Sequence, residues 1–496
     1  MFCKVKLTTR NALLGLLLLL PWLASCGGGS GGPEERATSV LVDSPADAAE
    51  RDGSITLREA LLLVTGGLAP ADLDAEETDN ITGIPGAASA DVILFDTSVF
   101  PQTEPATIVL TSGLPALVSG NDTVDGSQAG VIVDGGGGVQ GLECLFLNSD
   151  GNVLRGLQIQ NCHTGIVIES GAEGNTIGGT GPGERNVISA NASVGIEIRG
   201  SGNLVIGNYI GTDVAGTRLA ANGVEGVWIG PGAQNNVIGG DTPEERNVIS
   251  GNALFNVSIT GLGATGNVVK GNFIGVDASG RKPLESRFGV NIGRGAQDNV
   301  IGGSAPGEGN VISGNGNGVL IRHPGTTGNL VLGNRIGIGA AGLEPVPNSY
   351  GVWILDGAQN NSVGGAATGE GNLIAENNVG VAFEGATTTG NTVRGNSIRS
   401  NAGAGLLSLK DGNKGLEPPT LSSGSPLTGT ACPNCTVDVY SDAEDEGAVY
   451  EGSTLADGEG RFTFEGNLAG PNVTATATDA EGNTSVFAEP VPGPAR

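Results

Sequence analysis

Aromatic side chains are scarce. Only 4% of the 496 residues are Phe, Trp or Tyr, and the chain holds two His and one Met. A core filled by rings is therefore excluded, and so is chemistry that needs clustered imidazoles. Basic residues are also few. Lys and Arg number 24 against 52 Asp and Glu, for a net charge of −28. That balance argues against nucleic acid or an anionic polysaccharide held on a basic surface. Sustained helical periodicity is missing, and the 88 glycines follow no strict Gly-X-Y period, so collagen is excluded. What remains is short apolar runs between Gly and Asn, the pattern of β structure with many turns, in a chain long enough for more than one domain.

Residues 1–26 read as an export signal. Lys4, Lys6 and Arg10 form its basic start and Leu13 to Leu20 its apolar run. The end, Leu23-Ala24-Ser25-Cys26, resembles the bacterial lipobox. The resemblance implies cleavage before Cys26, lipidation of Cys26 and a protein held to a membrane by its N-terminal lipid. Gly27 rather than Asp follows, which by the usual sorting pattern implies the outer membrane or cell surface. Residues 27–37 read as a flexible tether.

The centre of the chain is a repeat. Asn175-Thr-Ile-Gly-Gly returns at Asn236, Asn299 and Asn361, in steps of 61, 63 and 62 residues (175 to 236, 236 to 299, 299 to 361). A constant period signals stacked units. Each period holds two coils of three short strands. First strands start at Asn175, Asn203, Asn236, Asn267, Asn299, Asn329, Asn361 and Asn391; second strands start at Asn186, Asn208, Asn247, Asn272, Asn310, Asn334, Asn372 and Asn396. An Ile or Val lies two residues after each, and the third strand reads Gly-Val-x-Ile, as in Gly226 to Ile229. With a side-chain period of two, Val227 and Ile229 point inward and Trp228 outward. Stacking gives aliphatic ladders inside and Asn ladders at the corners, where Asn tolerates left-handed geometry. About ten to eleven coils are expected over residues 106–415.

Ahead of the repeat, residues 38–105 read as an N-terminal cap. Ser39 to Asp43 has strand character. Thr56-Leu57-Arg58-Glu59 is a capping box, with Leu57, Ala60, Leu61 and Val64 following at helical spacing. A short amphipathic helix there covers the open first coil. Ile55-Thr-Leu-Arg-Glu-Ala60 resembles the CSLREA motif of bacterial exported β-helix proteins, with Ile55 and Thr56 in place of its Cys and Ser. The segments Asp91 to Asp96, Thr107 to Leu110 and Thr123 to Gly126 fall where that family has its first coils. The resemblance implies an all-β, right-handed parallel β-helix and says little about activity.

The two coils of a period differ in their loops. Odd coils carry a short loop between strands one and two, such as Thr180 to Arg185. Even coils carry a longer one between strands two and three: Thr212 to Asn222, Val276 to Arg287 and Gly337 to Ser349. Residues 416–496 resemble a small bacterial Ig-like β-sandwich, with Thr436 to Ser441, Arg461 to Phe464 and Val473 to Asp479 as strands; it could close the solenoid's C-terminal end. Cys432 and Cys435 read as a structural turn disulfide, since neither further zinc ligands nor a thioredoxin-like context accompanies them. Cys144 and Cys162 lie on successive coils, either bridged or as two small buried hydrophobes.

No catalytic set is legible. His163 and His323 stand alone as surface residues. Glu184, Glu245, Glu308 and Glu370 recur in every period, which suits loop capping better than a unique site; the alternative is a line of weak cation sites, with Ca2+ as the candidate ion. Asp213 and Asp277 match across two periods, but Gly339 breaks the row, so no metal ligand set and no cofactor is assigned. The outward aromatics Tyr209, Phe273, Trp228, Trp353, Phe288 and Tyr350, gathered on the even coils, are either sugar-stacking platforms or anchors for the long loops. The expected function is a lipid-anchored, monomeric surface scaffold that binds polysaccharide or a surface protein and not nucleic acid. A carbohydrate-active enzyme on the same fold and a purely structural role are the alternatives.

Overall fold

The computed structural model describes residues 38–86, 90–137 and 141–493. The export signal, the tether and Cys26 lie outside them. Among the described residues three long sheets dominate, parallel except that the edge strand Ile81–Thr82 of the first runs antiparallel to Thr38–Val42. The first holds 13 strands, ending at Thr392–Val393; the second holds 11, from Ala106–Val109 to Ser397–Arg399; the third holds 10, from Glu143–Leu147 to Ala404–Leu409. Each strand pairs with its counterpart one coil away, as Ile188 does with Ile210 and Val227 with Val257. This is a parallel β-helix, with the expected number of coils.

The core is aliphatic, as expected from a chain poor in rings. Ile177, Val205, Ile238, Val269, Ile301, Val331 and Val363 form one buried ladder, and Ile188, Ile210, Ile249, Ile274, Ile312, Ile336 and Ile374 another. Asn side chains stack at the corners. The Asn236 amide donates to Asn267 Oδ1 at 2.9 Å, and Asn267 to Asn299 at 2.9 Å. The second-strand row behaves alike, with Asn247 donating to Asn272 at 2.9 Å. Each Oδ1 also takes a backbone N–H of the preceding coil, so a fully buried amide is satisfied. The left-handed conformation expected at these Asn lies elsewhere. Before first strands it falls one residue earlier, at Gly202 (φ 66°), Asn235 (φ 56°) and Asp298 (φ 54°), for example. The turn is completed there, and the ladder Asn is free to keep its amide in the row.

A third Asn ladder, not apparent from the repeat, runs before the third strands through Asn191, Asn222, Asn252, Asn315, Asn348, Asn377 and Asn401. Its rungs sit against the glycine of Gly-Val-x-Ile. A Cβ on Gly226 would lie 2.6 Å from the Asn252 amide nitrogen, which is why that strand position is Gly. Cys144 and Cys162 occupy this same pair of positions at the start of the ladder, and they are disulfide-bonded. Cys432 and Cys435 are bonded too.

Helix α1 (Leu57–Val64) starts with the capping box: the Thr56 hydroxyl accepts from Glu59 N–H, and Glu59 accepts from Thr56 N–H at 3.0 Å. Leu57, Ala60, Leu61 and Val64 pack with Val40 and Ile93 of the first sheet. The chain after 416 forms two small antiparallel sheets around Leu427, Val437, Val439, Phe462, Phe464 and Val473. This unit meets the last coil directly. Arg394 pairs with Asp438, Tyr440 Oη accepts from Gly395 N–H at 3.1 Å, and Glu446 accepts from the N–H of Asn401 at 3.1 Å and its amide at 3.2 Å. Glu446 thus finishes the third Asn ladder.

Candidate ligand-binding face

The long even-coil loops lie on the second sheet. Each folds back on itself through an antiparallel bridge (Thr212 with Leu219, Val276 with Pro283, Ile338 with Pro345), and successive loops join by Ala278 N–H to Gly216 O and Ala340 N–H to Gly280 O. Asp213 and Asp277 close them by accepting backbone N–H groups, from Thr217 at 2.8 Å and from Arg281 at 3.2 Å. Beneath the loops is a small apolar cluster of Val248, Phe273, Val276, Val311 and Val346 with Tyr209 against it. Arg185 lies over the Tyr209 ring at 4.0 Å and Arg246 over Phe273 at 4.3 Å. Tyr209 and Phe273 are therefore held under loop and guanidinium. The recurring Glu residues cap the short loops of the odd coils: Glu184 accepts from Gly181 N–H at 2.7 Å and Glu370 from Ala367 N–H at 3.0 Å. Among the described residues no group of three or more His, Cys, Asp or Glu gathers as a metal site.

Trp228, Trp353 and Tyr350 fall on another wall, the outward face of the third sheet. The even-coil aromatics are thus divided between two sheets. Strand register orders the third face into columns. Glu225, Phe255, Phe288, Asn317 and Tyr350 form one; Glu197, Trp228, Ser258, Asn291, Leu320 and Trp353 form the next. Trp228 and Trp353 stand four coils apart, about 19 Å at ~4.8 Å per coil. Tyr350 and Trp353 stack at 4.6 Å between centroids with planes 13° apart, and Phe255 stacks on Phe288 at 5.0 Å. Trp228 Nε1 donates to Thr260 Oγ1 at 2.9 Å, whereas Trp353 Nε1 is buried with no acceptor among the described residues.

A polar line crosses the same face. Asn291 donates to Ser258 Oγ at 3.1 Å, and Arg322 Nε donates to Asn291 Oδ1 at 3.0 Å. The Arg322 guanidinium lies 5.7 Å from the centre of the Phe255 ring, and that of Arg287 lies 5.3 Å from Phe288. In the turn after the third strands, Arg294, His323 and Asp356 follow one another in register, next after Gly293, Arg322 and Leu355. All three are left-handed, at φ 55°, 74° and 53°, where the coils on either side use Gly261 and Gly385. An L-residue there costs about 1 kcal/mol, so three charged or polar side chains are kept at a position better suited to glycine. Burial, and then the neighbouring Arg294 and Arg287, push the Arg322 pKa down; burial, and then Arg322, push His323 down, with Asp356 opposing in both cases. His323 is half-buried beside these arginines rather than isolated on the surface, while His163 is exposed. Toward the N-terminal coils the face turns acidic, with Glu169 and Glu197 bound to Arg199.

Along the corner before this face runs a groove of about 880 Å³, lined by Ser286, Arg287, Asn315, Asn348 and Ser349 among others. Phe255, Arg294 and Arg322 were not singled out by sequence. Phe255 sits on an odd coil, outside the even-coil pattern. The arginines are separated by 28 residues and meet only when coils stack.

No family model matches the chain, and no curated protein matches it. Among solved structures it is similar to the A-module of the mannuronan C-5 epimerase AlgE6 of Azotobacter vinelandii, at 14% identity over 64% of this chain and 79% of that one, with a TM-score of 0.36. An alginate lyase from Paenibacillus shares 15% identity over 65% and 92%, with a TM-score of 0.25. The enzymatically active domain of tailspike protein 2 of bacteriophage CBA120 shares 11% over 82% and 69%, also at 0.25. At such scores these likenesses carry no functional argument.

Proposed function

We propose that this chain is a lipid-anchored surface protein whose β-helix binds polysaccharide on the outward face of the third sheet. The observation that carries the reading is the pair of ring stacks, Tyr350 with Trp353 and Phe255 with Phe288, on one sheet face beside a hydrogen-bonded line of Ser258, Asn291 and Arg322. Flat rings beside fixed polar groups suit sugar rings, whose faces are apolar and whose edges carry hydroxyls. Each part of the chain then takes a role. Cys26 carries the lipid, residues 27–37 hold the domain off the membrane, the CSLREA-like segment 38–105 caps a right-handed solenoid, and residues 416–496 are an Ig-like sandwich that closes its far end. The protein acts as a monomer and needs no cofactor.

Retention of the purified protein in native gels containing a panel of polysaccharides tests this. Slowed migration with at least one polymer supports a binding scaffold; unslowed migration with all of them contradicts it. A second reading, a carbohydrate-active enzyme, draws on His323, a half-buried imidazole whose Nδ1 is buried without a hydrogen-bond partner among the described residues and whose neutral form, the one with a free lone pair, is favoured by burial and by Arg322. Release of unsaturated uronate or new reducing ends from the same panel would establish that reading in place of the scaffold.

A further inference from the structure

We infer that the third-sheet face selects anionic glycans, taking a carboxylate or sulfate ester of the chain at Arg322 with Arg287 and Arg294 alongside. The inference rests on the polysaccharide-binding reading and narrows it to a ligand class.

The chain has 52 acidic against 24 basic residues, yet pairing with a carboxylate is not general among its described arginines: Arg185, Arg218, Arg246, Arg335 and Arg399 hold no ion pair and lie apart from one another, so what distinguishes the third-sheet arginines is that they are unpaired and close together. Arg51, Arg58, Arg155, Arg199 and Arg394 all hold ion pairs with Asp or Glu. Arg287, Arg294 and Arg322 hold none among the described residues, although they gather on one face. Asp356 offsets Arg322 and Glu225 offsets Arg294, neither within ion-pair distance. Arg322 is fixed from behind: its Nε is committed to Asn291, itself fully buried and tied to Ser258. The two Nη groups are left for a ligand in the planar fork geometry that matches an oxyanion. Like charges repelling one another on a half-buried surface are relieved when an anion binds. Net charge misleads here, because −28 is a property of the whole surface and a bound glycan meets only one face.

The aromatic rings and the arginines would act on different parts of the ligand. Tyr350, Trp353 and Phe288 offer ring faces to sugars of any charge. Arg294 and Arg322 sort them by charge. An extended glycan lying along the helix axis meets one coil every ~4.8 Å, and so would pass from the basic middle coils toward Glu225 and Glu197, which disfavour anions at that end.

The test uses native gels containing polygalacturonate, dextran sulfate or uncharged dextran, with the full purified protein, Arg294→Ala/Arg322→Ala, and Arg322→Gln. Arg218→Ala, in an exposed loop over the second sheet, serves as the charge control. The expected result is retention by polygalacturonate or dextran sulfate that falls as salt rises and is weakened at least tenfold in the double variant and several-fold in Arg322→Gln, with Arg218→Ala unchanged. The polymer that retains the protein tells whether carboxylate or sulfate is the group recognised. Far-UV circular dichroism and thermal melts matched to the parent separate lost binding from lost fold. Retention by dextran alone, or anionic retention that survives both arginine variants, overturns the anionic assignment and leaves the scaffold reading standing. Retention by none of the three, or by any wider panel, overturns both.

Discussion

Ser286 donates its hydroxyl to Asn256 Oδ1 at 2.8 Å, and the two residues together replace a rung of the third Asn ladder. Elsewhere the corner residue of one coil is Asn and faces the strand glycine of the coil before. Here the corner is Ser286 and the strand residue is Asn256, which takes over the missing amide: Asn252 donates to it at 2.9 Å, and it donates to Asn315 at 3.0 Å. Cys144 and Cys162 fill the same pair of positions with a disulfide. One slot in the fold thus accepts Gly with Asn, Asn with Ser, or two Cys.

The exchange is reciprocal and so predicts coupling. Asn256→Gly alone leaves Asn252 and Asn315 with unmet buried groups and is expected to cost about 1–3 kcal/mol. Ser286→Asn alone crowds Asn256 and also destabilises. The double variant restores the usual rung. Chemical denaturation of the four proteins should give a coupling of at least ~1 kcal/mol; additive effects would refute the shared slot.

A related expectation concerns the disulfide. Asn256→Cys with Ser286→Cys should cross-link as Cys144 and Cys162 do, whose Cα atoms are 5.7 Å apart. Peptide mapping without reductant reads the outcome. Two free thiols after oxidation would mean that the positions are not equivalent.

The anchors under the loops should matter for stability and not for ligand. Phe273 is buried against Val276 and Val311, so Phe273→Ala is expected to cost about 3 kcal/mol. The loss should appear as faster hydrogen exchange in residues 276–287. If exchange there is unchanged, the ring does not hold the loop.

The closing contact at Glu446 should depend on pH. Burial, partly offset by the hydrogen bonds from Asn401, raises its carboxyl from 4.5 to about 7. The folded protein then keeps a proton that the unfolded chain loses above about 4.5, so stability falls as pH rises from about 4.5 to 7. Glu446→Gln keeps an acceptor without the charge. At pH 8 it should slow exchange of the Asn401 amide relative to the parent, by an amount that shrinks toward pH 5. Equal exchange at both pH values in both proteins would contradict this.

Much of the fold was legible because the β-helix repeats its physics. Asn236 and Asn299 mark equivalent corners, and an Ile two residues beyond each second-strand Asn marks the core. The third ladder was harder to see, because Asn222 lies four residues before its strand glycine but Asn348 only three. The candidate face was least legible. Arg294, Arg322 and Phe255 have no common motif, and stacking alone brings them together. The row Arg294, His323 and Asp356 could be noticed only as three non-glycine residues at a turn where Gly261 and Gly385 flank them. Grouping the aromatics by even coil mixed two faces: Tyr209 and Phe273 serve loops, while Trp228, Tyr350 and Trp353 stand on open sheet.

That division offers the most direct test of the binding face. Gel retention on the polysaccharide that binds the parent best should be lost, by at least tenfold in apparent affinity, when Trp228→Ala is combined with Trp353→Ala. The pair Tyr209→Ala with Phe273→Ala should lower the melting temperature and leave retention intact. Unchanged retention in the tryptophan pair, with the fold preserved, would contradict the assignment of the third sheet as the ligand-binding face.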